Sequence, residues 1–249
     1  MFSVDLNCDL GESFGAYQIG QDQEMMKYIS SANIACGFHA GDPNIMYKTV
    51  ELAYTNNVKI GAHPGFPDLS GFGRRNMNLS PEEVYYIVLY QVGALQAFVC
   101  AQGAKLNHVK PHGALYNMSA VNPAYAEAIT KAVYHLDPTL ILYGLANSEL
   151  IQAGTKYGIN VASEVFADRT YQDDGTLTPR NEKNALIIDE NQAITQTLLM
   201  VKEKRVKTVN GKMIPLVADT ICLHGDNLHA VSFARKLTSV LLSEGIQIK

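Results

Sequence analysis

The chain lacks the features that would commit it to nucleic acid, a membrane or an oxidising compartment. Lys and Arg are scattered without a basic run, and the formal net charge is −4 with a pI near 6.0. Nothing in that distribution suits a phosphate polymer. No apolar run reaches the roughly 18–20 residues that a membrane span needs. The start, Met1-Phe2-Ser3-Val4-Asp5, shows no basic segment, apolar stretch and cleavage site in succession, so no signal peptide is expected. Four cysteines, Cys8, Cys36, Cys100 and Cys222, lie far apart in apolar surroundings with no Cys-x-x-Cys spacing. That pattern predicts reduced core thiols in a cytoplasmic protein, not a zinc or dithiol motif.

Common catalytic signatures are missing as well. Asn210-Gly211-Lys212-Met213 lacks the glycine spacing and the Ser/Thr of a phosphate-binding loop. Neither a Gly-x-Ser-x-Gly elbow nor a His-Glu-x-x-His helix occurs, which argues against a serine hydrolase and a helical metalloprotease site. There is no low-complexity tract, charge block or Pro/Ser-rich linker.

What is present is regular. Hydrophobic residues are 47% of 249 and charged residues 18%, enough for a substantial core in one domain over residues 1–249. Short apolar runs predict strands over Ser3–Asn7, Ala32–Cys36, Val58–Ala62, Leu106–Lys110, Thr139–Gly144, Asn160–Val165 and Leu216–Leu223. Amphipathic stretches alternate with them. The clearest runs from Pro81 to Ala101 and opens on Ser80-Pro81-Glu82-Glu83, with an N-cap, a proline at the first helical position and acids in the first turn. Asp42-Pro43 and Asn122-Pro123 start helices by the same logic. About seven strand–helix repeats predict an α/β fold: a single-domain β/α barrel of mostly parallel strands, with an open doubly wound sheet as the alternative. The polar segment 171–184 reads as a loop or lid following a strand.

Chemistry collects where the strands end. The first run is followed by Asp9-Leu10-Gly11-Glu12, the second by Gly37-Phe38-His39 and the third by His63-Pro64-Gly65. Lys110-Pro111-His112-Gly113, Glu164 to Asp168-Arg169, and His224-Gly225-Asp226 close later runs. In parallel α/β folds the carboxyl ends of the strands share one face, so these segments are expected to converge on one pocket. Four of the seven histidines, His39, His63, His112 and His224, occupy this address; His108, His135 and His229 do not and read as structural or surface residues. Such a set suits a catalytic metal or metal-free acid–base chemistry equally well. Lys110, Arg75 and Arg169 supply positive charge for a carboxylate or phosphate.

These segments closely resemble the LamB/YcsF family. The resemblance is carried by residues 5–12, 33–42, 61–68, 71–75, 109–117, 164–169, 174–180 and 224–226, in that order along almost the whole chain. Phe66 stands where the family often has tyrosine.

The resemblance implies a glycoside hydrolase/deacetylase-like barrel of about seven strands. It also implies an ATP-dependent opening of 5-oxo-L-proline to L-glutamate with two partner subunits, B and C. ATP, with Mg2+, would then be a co-substrate, although no segment shows where it binds. A homo-oligomer is compatible with this reading, and a protein-bound catalytic metal is left open. On that reading His63, Lys110, His112, Glu164, Asp168 and His224 are catalytic. Asp5, Asn7, Glu12, His39, Arg75, Arg169 and Arg180 bind substrate. Replacing Lys110 or His112 by Ala is expected to abolish turnover with the fold intact. Two other functions fit the same residues: a metal-dependent deacetylase or amidohydrolase acting on a carbohydrate or small amide, and a non-catalytic small-molecule-binding subunit.

Overall fold

A computed structural model describes residues 2–223 and 230–249. In chain order the elements are β1 (Phe2–Leu10), α1 (Asp22–Met25), β2 (Ser31–Ala35), α2 (Pro43–Thr55), β3 (Lys59–His63), α3 (Pro81–Ala101) and β4 (Leu106–Val109). Next come α4 (Gly113–Val121), α5 (Pro123–Leu136), β5 (Ile141–Leu145), α6 (Glu149–Tyr157), β6 (Asn160–Phe166) and α7 (Glu190–Glu203). The chain ends with β7 (Arg205–Lys207), β8 (Met213–Pro215), β9 (Thr220–Leu223), α8 (Ala230–Ser243) and β10 (Ile246–Ile248).

Strands β1 to β6 pair in sequence, all parallel, and β9 pairs with both β6 and β1. The ring therefore closes on seven strands, and the open-sheet alternative is excluded. The closing register runs from Asp5↔Thr220 to Cys8↔Leu223. Three short strands escape the sequence periodicity. β7 and β8 form an antiparallel hairpin apart from the barrel, and β10 pairs in parallel with Phe2–Val4 of β1. The last barrel strand starts at Thr220, not Leu216, whose N–H donates to the Lys204 carbonyl before the barrel is reached.

The helix starts follow from their caps. The Ser80 side chain accepts from the Glu83 N–H and the Glu83 side chain reaches back to the Ser80 N–H, a reciprocal capping box on α3. Asp42 accepts from the N–H groups of Asn44 and Ile45 on α2, and Asn122 from those of Ala124 and Tyr125 on α5. The expectation about membrane spans needs correcting at α3. Its 21 residues are long and apolar enough to cross a membrane by length and composition. Here Val84, Val88, Val92, Leu95 and Val99 form a buried stripe, and the helix packs on β3, β4 and α5.

Alternate residues of each strand face the barrel axis, and several of these are polar rather than the branched aliphatics usual in such barrels. Asp5, Asn7 and Asp9 of β1 line up with Asn33 of β2, His108 of β4, Glu164 of β6 and Thr220 of β9 through the registers. Every buried polar group here needs a partner, and the layers supply them to one another. Gly61 makes room: a Cβ there would lie 2.0 Å from His108 Nε2. The register slips by one residue beside it, between Ile60 and Gly61.

Candidate active site

The lowest polar layer surrounds Asp5. Its Oδ1 accepts from Ser30 Oγ at 2.7 Å and Ser31 Oγ at 2.6 Å, and its Oδ2 from Thr220 Oγ1 at 2.6 Å and Tyr143 Oη at 3.2 Å. Asp5 is thus saturated by Ser30 and Ser31 at the start of β2, Thr220 at the start of β9 and Tyr143 of β5, away from the carboxyl ends of the strands. The structure places Asp5, expected to bind substrate, as an internal tie that does not line the cavity. Asn7, one layer up, is likewise fully buried. It donates to Glu164 Oε1 at 2.9 Å and Thr220 Oγ1 at 2.7 Å, and accepts from Asn33 Nδ2 at 2.7 Å. It positions its neighbours and does not reach the cavity. His108 joins the same layer, 2.7 Å from Asn33 Oδ1 and stacked on Tyr143, which agrees with its structural reading.

Lys110 crowns these layers. Its buried Nζ lies 2.9 Å from Asp9 Oδ1, 2.8 Å from Glu164 Oε1, 3.1 Å from Asn7 Oδ1 and 3.1 Å from Cys222 Sγ. Burial penalises the cation, but Asp9, Cys222 and Glu164 outweigh it and hold the ammonium well above its ordinary range. Burial also works against the Asp9 carboxylate, and His63 and Lys110 overcome it, keeping Asp9 well below the usual carboxylate range. Glu164, expected to be catalytic, is fully buried beside the Lys110 ammonium and does not line the cavity. Cys8, Cys36 and Cys222 are free and buried as the core-thiol expectation has it, Cys222 also meeting the Lys110 ammonium, whereas Cys100 is exposed.

Above Lys110 stand three imidazoles. His63 ends β3, His112 is the N-cap residue of α4, and His39 follows β2. His63 Nδ1 lies 2.7 Å from the Lys110 carbonyl and His112 Nε2 lies 2.9 Å from the Phe72 carbonyl. Carbonyls only accept, so both nitrogens carry the proton. The remaining nitrogens, His63 Nε2 and His112 Nδ1, face each other at 2.9 Å. Asp9 Oδ2 lies 3.3 Å from His63 Nε2, and Glu12 Oε1 lies 3.7 Å from both His112 Nδ1 and His39 Nε2. His39 stacks on His112 with 3.7 Å between centroids. Burial first, then the neighbouring imidazoles, pushes His39 and His112 well below the ordinary histidine range, so both rings are neutral.

A cavity of about 830 Å³ opens from this cluster. Asp9, Glu12, His63, Lys110 and His112 form its inner end; Tyr116, Asn117 and Phe166 form its wall; Arg74, Arg75, Asn76 and residues 176–181 form its rim. Segment 171–184 does cover the site, as the loop reading expects. Arg169 holds it: the buried guanidinium donates to the Thr178 and Ala185 carbonyls at 2.6 and 3.2 Å. Burial and Arg180 bring its pKa down to about 10. Arg169 lines the cavity while it ties down the segment. Arg75 is bound to Asp68 and Ser70 at the rim, and Arg180 is exposed beside it. Asp168 is half-buried at the turn after β6 and does not line the cavity. His224 lies outside the described residues, so its place is not assigned.

Sequence reasoning does not single out Asp9, Asn33, Tyr116, Arg74 or Cys222 as site residues. Asp9 carries a legible signal, being the third polar residue at period two in β1; Asn33, Arg74 and Tyr116 lie within the segments that carry the family resemblance, and Cys222 lies in an apolar run.

The fold is a closed parallel barrel whose cavity holds two carboxylates, imidazoles and several cationic side chains at the strand ends. The chain belongs to the LamB/YcsF family, which it matches over residues 4–249. It is 60% identical to the A subunit of 5-oxoprolinase from Bacillus subtilis (strain 168), over 100% of this chain and 96% of that protein. The Geobacillus kaustophilus (strain HTA426) protein of the same name is also 60% identical, with 100% and 97% covered. The crystal structure of the lactam utilization protein from Thermus thermophilus superposes with a TM-score of 0.93 at 45% identity, covering 99% of each chain. A putative cellobiose-phosphate cleavage protein from Enterococcus faecalis V583 shares the fold, with a TM-score of 0.58 at 13% identity over 100% of this chain and 97% of that one.

Proposed function

We propose that this chain is the lactam-handling component of an ATP-dependent 5-oxoprolinase, a hydrolase that opens 5-oxo-L-proline to L-glutamate together with partner subunits B and C in the cytoplasm. The observation that carries this reading is the full-length 60% identity to proteins named as the A subunit of 5-oxoprolinase. The cavity is compatible with it. A volume of about 830 Å³ exceeds what a five-membered lactam needs and falls within the roughly 300–1,000 Å³ of small-molecule sites. Room for a phosphate-bearing co-substrate remains.

The chemistry explains the need for ATP. A lactam carbonyl is resonance-stabilised and its nitrogen leaves poorly. Transfer of a phosphoryl group to the amide oxygen makes the carbon electrophilic. Water then adds there, the ring nitrogen departs as the amine, and the resulting acyl phosphate hydrolyses to the γ-carboxylate. Lys110 places a fixed positive charge at the inner end of the cavity, where the lactam oxygen would gain negative charge. Asp9, the partly exposed carboxylate beside it, is placed to orient the water. Arg74, Arg75 and Arg180 at the rim suit the substrate carboxylate or phosphates, with Mg2+ accompanying ATP.

The test is glutamate formation from 5-oxoproline, with and without ATP, by this chain alone and with the B and C partners. Glutamate only in the presence of ATP and the partners is the expected result. Turnover of an acetylated sugar or simple amide without ATP would overturn the reading.

A further inference from the structure

Among the described residues, three imidazoles and Glu12 converge on one point, and hydrogen bonding leaves both ring nitrogens of His39 unpartnered. With His63 Nδ1–H committed to the Lys110 carbonyl and His112 Nε2–H to the Phe72 carbonyl, the other two ring nitrogens face each other across 2.9 Å, with Asp9 Oδ2 3.3 Å from that of His63. The Glu12 carboxylate lies 3.7 Å from one of them. His39, fully buried, has no hydrogen-bond partner at either ring nitrogen and is 3.7 Å from the same carboxylate oxygen. Facing ring nitrogens beside a carboxylate need a proton or a metal ion between them, and a buried imidazole without a partner costs free energy.

We propose that Glu12, His39, His63 and His112 bind one divalent transition-metal ion of the zinc class at the inner end of the cavity. The donor atoms all lie within 4.8 Å of one another. Zinc with ligands at about 2.0–2.1 Å in a tetrahedron needs donor–donor edges of roughly 3.3 Å. Three of the six donor–donor separations, 2.9, 3.7 and 3.7 Å, bracket that value and none exceeds 4.8 Å, so side-chain shifts of about an ångström would complete the shell. Three imidazoles and one carboxylate form a donor set that selects zinc or a neighbouring first-row ion over magnesium or calcium, which prefer all-oxygen shells.

The surroundings are built as metal sites are. Ligating histidines characteristically donate their second ring N–H to a carbonyl or carboxylate, which fixes tautomer and orientation, and His63 and His112 both do so. Two glycines carve the slot for the stacked rings. A Cβ on Gly65 would lie 2.6 Å from His39 Nδ1, and one on Gly73 would lie 2.7 Å from His39 Cβ and 2.8 Å from His112 Cδ2. Gln91, buried on α3, clamps Gly65 by exchanging two hydrogen bonds with its backbone. Glu12, His63 and His112 line the cavity while His39 lies behind them, so the ion would be held on the substrate side.

The experiment reads binding and not turnover, so its failure and the failure of the oxoprolinase reading are separable. The purified full-length chain is stripped with a chelator, dialysed and titrated with Co2+ and Zn2+. One equivalent of Co2+ should bind with visible ligand-field absorption, and Zn2+ should displace it. His39→Gln and Glu12→Gln, each checked for folding by circular dichroism, should lose that absorption and bind at least about tenfold more weakly. Cys100→Ser, which removes the exposed thiol, should bind as wild type does. The wild-type titration tests the proposal even where a variant fails to fold. No bound cobalt in the wild type, unaltered binding in both folded ligand variants, or loss of binding in Cys100→Ser would overturn it.

Discussion

Lys110→Ala would leave Asp9 and Glu164 facing one another in the barrel without the ammonium that lies 2.9 and 2.8 Å from them. Breaking a buried pair by removing one partner typically costs about 3–5 kcal/mol, because the remaining charge has nowhere to go. Urea unfolding should therefore show a loss of about that size. This differs from the sequence reading, in which Ala at Lys110 spares the fold. His108 offers a pH test. Its buried ring is brought down to about 3 by burial and by Lys110 and Lys59, against about 6.5 in an unfolded chain. Between those values the unfolded chain holds the extra proton. Stability from this group is therefore complete above about pH 6.5 and is lost as pH falls toward 3, at up to about 1.4 kcal/mol per pH unit. His39 and His112, also held neutral, act in the same direction. Unfolding free energies measured from about pH 8 to 4 should fall, and His108→Gln should flatten the slope by about one proton.

At the scale of elements, the capping box predicts a local effect. Ser80→Ala removes the acceptor for the Glu83 N–H and one half of the reciprocal pair, which should cost about 1 kcal/mol of global stability without changing ligand affinity. Equal loss of both would contradict a purely structural cap. Segment 171–184 is held differently, through the Arg169 guanidinium and the Thr170 hydroxyl, which donates to the Asn184 carbonyl at 2.8 Å. Arg169→Ala should speed limited proteolysis within the segment and raise KM more than it lowers kcat, if the segment's task is to cover the cavity. An unchanged digestion pattern would count against that tie.

For the whole molecule, β10 joins the end of the chain to its beginning. Phe2, Ser3 and Val4 pair with Ile246, Gln247 and Ile248, and Ile246 is buried. Deleting residues 246–249 should remove at least the roughly 1.5–3 kcal/mol of that isoleucine's burial and expose an unpaired stretch of β1. A lower melting temperature with a preserved far-ultraviolet spectrum would support this; an unchanged one would not. Barrel closure is not legible in the chain because periodicity reports which residues alternate, not which distant strand they meet. β10 escapes notice for a related reason, since three residues are too few to show a pattern.

Residue type along the chain is enough to set the helix starts at Ser80, Asp42 and Asn122, the strand alternation, and the meeting of Lys110 with His39, His63 and His112. Caps, apolar spacing and the shared end of parallel strands are local or topological consequences of residue type. Only the tertiary structure decided depth. Asp5, Asn7 and Asp9 look alike at period two, yet the barrel buries Asp5 among hydroxyls, sets Asn7 under Lys110, and brings Asp9 to the cavity. Glu164 likewise ends beneath the ammonium rather than against the cavity. The height of a residue along the barrel axis is set by the stagger between strands, a relation among distant segments that no single stretch of chain encodes.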